Sequence, residues 1–119
     1  MKALRSAALS IILLSGILSG QVWSDWTSTS TNPELQYRSQ AVPNMRHCYL
    51  EFRDTKQGKG NTTFDVAVDY TSSALNENGA PILKTDTEHI VTTPTHVGTA
   101  RIPECLAVSV VRASVVQRL

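Results

Sequence analysis

From residue 47 onward, apolar and polar side chains alternate in a rhythm suited to extended chain. In His47-Cys48-Tyr49-Leu50-Glu51-Phe52-Arg53-Asp54, the residues Cys48, Leu50 and Phe52 fall on one side. His47, Glu51 and Arg53 fall on the other, which predicts a half-buried strand. The pattern returns with Phe64, Val66, Val68 and Tyr70 inward and Asp65, Asp69 and Thr71 outward. Between them, Lys56 to Asn61 carries Gly58 and Gly60 and predicts a loop joining the two strands as an antiparallel hairpin. Upstream, Leu35-Gln36-Tyr37-Arg38 opens a short strand that ends at Val42-Pro43-Asn44. Downstream, Ser72 to Pro81 contains Asn76 and Asn78-Gly79 and reads as a connection. Ile82 to Val91 is threonine-rich and weakly alternating, which predicts an exposed edge strand, interrupted at Pro94. Val97 to Ile102 is a further strand stopped by Pro103.

The stretch from Leu106 to Leu119 is ambiguous. Its five valines favour strand, because β-branched side chains lose freedom in a helix, while Ala and Leu leave a helix open. We read it as two strands, or as one with a bulge near Arg112-Ala113. Six or seven short strands with turn signals between them predict an all-β fold, a small antiparallel β-sandwich.

The N-terminus follows a different rule. Lys2 and Arg5 precede an apolar run from Ala7 to Leu18, and no acidic residue comes before Asp25. Ser15, Gly16, Ser19, Gly20 and Gln21 break the run, which falls short of the roughly 20 apolar residues a bilayer crossing needs. Val22 and Ser24 suit a cut between Ser24 and Asp25. This predicts a signal peptide over 1–24, a flexible lead-in over 25–33 and a single domain over 34–119. No Cys closes the apolar run and no second run follows, so neither a lipid anchor nor stable membrane insertion is expected. The destination is the bacterial periplasm or the exterior. Cleavage leaves nine basic against ten acidic residues, which gives no electrostatic footprint for nucleic acid.

In an oxidising compartment the only two cysteines, Cys48 and Cys105, are read as a disulfide. A redox pair or a metal site would need closer spacing, such as CxxC. His47, His89 and His96, with Asp86 and Glu88 nearby, meet no metal-ligand spacing, and no metal or cofactor is expected. No GxSxG elbow is present. Asp65 and Asp69 would stand about 13 Å apart on a strand, too far for a carboxylate dyad. These residues predict no enzyme but a module that binds a protein through a sheet face or through the edge at Leu83 to Thr93. The candidate contacts are Tyr37, Tyr49, Arg53 and His89. The alternative is an accessory or structural piece of a bacterial surface assembly.

The Cys48–Cys105 separation resembles the cross-sheet bridge of immunoglobulin-like domains. No Trp lies between the cysteines and Pro103 takes the place of the corner tyrosine, so the pattern is closer to a fibronectin type III-like sandwich. In size, export signal, strand pattern and composition the chain resembles the interleukin receptor mimic protein A group of pathogenic Escherichia coli. Over nearly the whole mature chain that resemblance implies a fibronectin type III-like fold, a strand-swapped homodimer and weak binding of a host cytokine. It carries over no functional residue.

Overall fold

An apolar stripe on one side of a strand must be covered, and here two such stripes cover each other. The computed structural model describes residues 23–42 and 47–119. Residues 1–22 of the signal peptide expected over 1–24, and the strand end expected at Pro43-Asn44, lie outside them. The strands are β1 (Thr27–Ser28), β2 (Leu35–Val42), β3 (His47–Asp54), β4 (Thr62–Leu75), β5 (Pro81–Thr92), β6 (Gly98–Pro103) and β7 (Cys105–Arg118). They form a four-stranded sheet, β1-β2-β3-β6, and a three-stranded sheet, β5-β4-β7, antiparallel throughout. The expected all-β sandwich is what the chain forms. No helix among the described residues is long and apolar enough to cross a membrane.

The expected β3–β4 hairpin does not form. β3 and β4 lie in different sheets, and residues 55–61 carry the chain from one layer to the other. Had they paired, Phe52 and Phe64 would share one uncovered surface. Instead they meet across the sandwich, both fully buried, with ring centroids 5.9 Å apart and planes at 72°. Leu35, Leu50 and Ile102 from one sheet and Val66, Val68, Ile90 and Val111 from the other complete the core. Gln57 holds the crossing: its Nε2 donates to Gly60 O at 2.7 Å, and its Oε1 accepts from Thr92 Oγ1 at 2.7 Å.

The true hairpin is β4–β5, further along. β4 runs on to Leu75, through much of the segment read as a connection. The Asn76 side chain closes the turn by accepting from Asn78 N–H at 2.8 Å and Ala80 N–H at 3.0 Å. Gly79 takes a φ of 78°, a backbone region where a side chain is strained. β6 begins at Gly98, whose backbone lies so close to Ile90 and Val91 that a Cβ has no room. Glu104 turns the chain from one sheet to the other between β6 and β7.

β7 is one strand of 14 residues. Its register with β4 skips Leu106, Ser109 and Val116, so the bulges fall there and not near Arg112-Ala113. Bulges along an edge strand discourage pairing with another chain. The segment read as a flexible lead-in also differs from expectation, because its hydroxyls and amides act as ladder partners. It carries β1, and Ser30 N–H donates to Val111 O at 2.9 Å. Thr31 Oγ1 then accepts from Ala113 N–H and donates to Ala113 O, both at 2.8 Å. Cys48 of β3 is bonded to Cys105 of β7, with both side chains buried, so the bridge ties the two sheets together.

β5 is an edge strand, as its threonines suggested, but it is not undefended. Asp86 and Glu88 stand opposite Val68 and Val66 and therefore point toward the sandwich interior. Inward charges of this kind guard a free edge. The neighbouring Asp86 carboxyl and partial burial push Glu88 up to about 7. The folded chain therefore holds a proton that the unfolded chain releases between the ordinary value of 4.5 and about 7. Stability from this group is complete at the acid end of that window and declines as pH rises through it. Urea midpoints measured across the window should fall with rising pH for the native chain and stay flatter for Glu88→Gln. Equal slopes would refute the assignment.

Candidate functional site

Alternation on β2, β3 and β6 turns Gln36 and Arg38, then Tyr49, Glu51 and Arg53, then Thr99 and Arg101 to the outside of the four-stranded sheet. The register sets Gln36 against Arg53, Arg38 against Glu51, and Tyr49 against Arg101. Trp26, just before β1, lays its ring under two guanidinium groups. The Arg53 Cζ lies 4.3 Å from the Trp26 centroid and the Arg38 Cζ 5.0 Å. Trp23 also meets Arg38, at 4.9 Å. A cut after Ser24 would remove Trp23 and the Ser24 bonds to Ser39 while leaving Trp26 in place.

Secondary contacts fix these groups. Arg38 Nε donates to Glu51 Oε1 at 2.7 Å, and its Nη2 lies 2.6 Å from the same oxygen. Arg53 Nε donates to Gln36 Oε1 at 2.8 Å, and its terminal nitrogens make no hydrogen bond among the described residues. Arg101 Nη2 lies 3.1 Å from each ring nitrogen of His47, whose ring meets Tyr49 edge-on at 6.3 Å. A guanidinium over an aromatic face gains roughly 0.5–1 kcal/mol at an exposed site. It is also held flat, so its N–H fork is already oriented for a partner.

The outer face of the three-stranded sheet is built differently. Ala67 floors an open depression of about 1000 Å³. His89 Nδ1 donates to Asp65 Oδ1 at 2.7 Å. Hydrogen bonds from Arg112, then from Thr85, hold the Asp69 carboxyl below the usual carboxylate range. Ser114 is the neighbour of Asp65 on the side away from His89, so the order across the strands is His, Asp, Ser. A hydrolytic triad needs the imidazole between the hydroxyl and the carboxylate. Among the described residues no group of three or more His, Cys, Asp or Glu side chains is placed to hold a metal ion.

The four contact residues expected from sequence are therefore separated. Tyr49 and Arg53 share the arginine–tryptophan face. Tyr37 turns inward against the core, and burial raises its phenol pKa. His89 lies on the opposite sheet. Sequence reasoning missed Trp26, Arg38, Arg101 and His47. Polar-side alternation on β2 and β3 was the signal for Arg38 and His47, whereas Trp26 lies in a segment read as unstructured. No protein-family model, curated protein or solved structure matches the chain.

Proposed function

We propose that this chain is an exported, non-enzymatic binding module that recognises a protein through the outer face of its four-stranded sheet. One observation carries the reading: Arg53 and Arg38 are stacked on Trp26, beside Tyr49 and Arg101, on a single face. Tryptophan, tyrosine and arginine are the residues that dominate binding energy at protein interfaces. The buried disulfide suits an oxidising compartment, the periplasm or the exterior. The resemblance drawn from the sequence makes a host cytokine the partner to test first. In biolayer interferometry against a panel of interleukins, Trp26→Ala or Arg53→Ala should weaken binding about 30-fold, the effect of losing one hot-spot side chain. His89→Ala, on the other sheet, should leave it unchanged. Binding that survives both face variants, or a panel that binds nothing, would remove this reading.

The edge of β5 is 12 residues long and guarded only by Asp86 and Glu88, which supports a second reading, in which copies pair edge to edge as a homodimer or as part of a surface assembly. Light scattering of the mature protein separates the two, since edge pairing gives dimers or polymers and the face reading needs only a monomer.

A further inference from the structure

Arginine pairing on this molecule is uneven. Among the described residues, Arg38, Arg112 and Arg118 each bond a carboxylate: Glu51, Asp69, and both Asp54 and Glu34. Arg53 and Arg101 bond no carboxylate among those residues, and both lie on the outer face of the four-stranded sheet. Glu51, the one outward acid that β2, β3 and β6 carry among the described residues, is already held by Arg38. In the other layer Asp65, Asp69, Asp86 and Glu88 of β4 and β5 stand beside Lys84 of β5 and Arg112 and Arg118 of β7, and both of those arginines are paired. Two fixed guanidinium groups with no carboxylate partner among the described residues thus stand on one face.

From this we infer that the partner of the arginine–tryptophan face presents a carboxylate-rich segment, with Arg53 and Arg101 as its two anchors. The inference rests on the binding-face reading above and adds the chemistry of the ligand. Arg53 lies four residues beyond Tyr49 along β3, and Arg101 is the β6 neighbour of Tyr49. The two Cα atoms are therefore about 14 Å apart at ordinary strand spacings. Acidic side chains four residues apart in an extended segment span about 13 Å and project to the same side. Trp26 and Tyr49 supply apolar contact between and beside the two anchors. An arginine fork binds a carboxylate in a planar, two-bond geometry that a glutamine side chain cannot accept in the same way.

The test uses the isotopically labelled mature protein and follows the side-chain Nε–H signals of Arg53 and Arg101 and the indole N–H of Trp26 by NMR. The probes are a short Ser/Thr peptide with two glutamates four residues apart, its glutamine twin, and a heparin oligosaccharide. The glutamate peptide should move all three signals. The glutamine twin should bind about tenfold or more weakly, consistent with losing charge-assisted hydrogen bonds. Arg53→Gln and Arg101→Gln should each weaken the peptide to a similar extent, and raising the salt should weaken it further. Three results overturn the inference: heparin moves the signals while the glutamate peptide does not, the signals move with protein concentration alone, or no probe moves them. If one of these occurs and Trp26→Ala still weakens interleukin binding as expected above, the binding face stands and only its acidic partner fails.

Discussion

Replacing both Cys48 and Cys105 by alanine should lower the unfolding free energy by about 4 kcal/mol, the chain-entropy value for a loop of this size. The bridge spans a sequence separation of 57 and joins β3 to the first residue of β7. A small domain has roughly 5–15 kcal/mol in total, so the loss is a large part of the whole. In thermal unfolding it should lower Tm by about 20 °C. Urea titration of the double variant beside the oxidised protein is the direct measurement. A loss below about 1 kcal/mol would mean that the unfolded chain gains little freedom without the bridge.

The ion pair between Arg118 and Asp54 should matter nearly as much. The Asp54 side chain is fully buried. It accepts Arg118 Nε at 2.9 Å and Nη2 at 3.0 Å, Thr62 Oγ1 at 2.7 Å and the Lys56 N–H at 2.9 Å. Arg118→Met strands that carboxylate, and breaking a buried pair from one side costs about 3–5 kcal/mol. Arg118 keeps 31% of its side chain exposed, so water can partly replace it, and about 3 kcal/mol is expected. Asp54→Asn in the Arg118→Met background should recover part of the loss, because it removes the stranded charge. If the second substitution adds to the damage, the charge was not the cause.

Acid should act on the same pair. Burial alone would raise the Asp54 pKa, but Arg118, Thr62 and the Lys56 amide together outweigh it and hold the carboxyl low. Its contribution is therefore complete above the unfolded value, near 3.8, and is lost as acid approaches the lower folded value. Removing Arg118 takes away two of the influences that hold the carboxyl low, so acid unfolding should begin at higher pH. This trend runs opposite to that of Glu88 and lies in a more acidic range, so the two can be separated in one titration.

Alternation told which side of each strand faces the core, and it did so correctly for Cys48, Leu50, Phe52, Phe64, Val66 and Val68. It could not tell which strand lies beside which. Period-two patterning is the same for a strand that pairs with its predecessor and for one that packs across from it, so alternation and loop length alone make β3 and β4 neighbours. Bulge positions in β7 depend on register against β4, which local sequence does not encode. DWTSTSTNP looked unstructured because its residues are polar, yet those groups supply the hydrogen bonds that hold it to β2 and β7. Tyr49 and Arg53 were legible as outward residues of one strand. The role of Trp26 was not, because it arises from contact with Arg38 and Arg53 at a distance in sequence.

The crossing at residues 55–61 also bears on how the chain acquires its shape. β3 finds its second neighbour only in β6, and β4 only in β7, so neither sheet can be finished by strands adjacent in sequence. Such topologies fold slowly, because distant segments must be brought together before any contact compensates the lost freedom. Until β7 arrives, the Cys48 thiol has no mate, Asp54 has no counterion and the stripe on β4 is flanked on one side only. A polypeptide delivered from its N-terminus through a narrow passage would thus stay loose and threadable during transit, and would lock in a single late step.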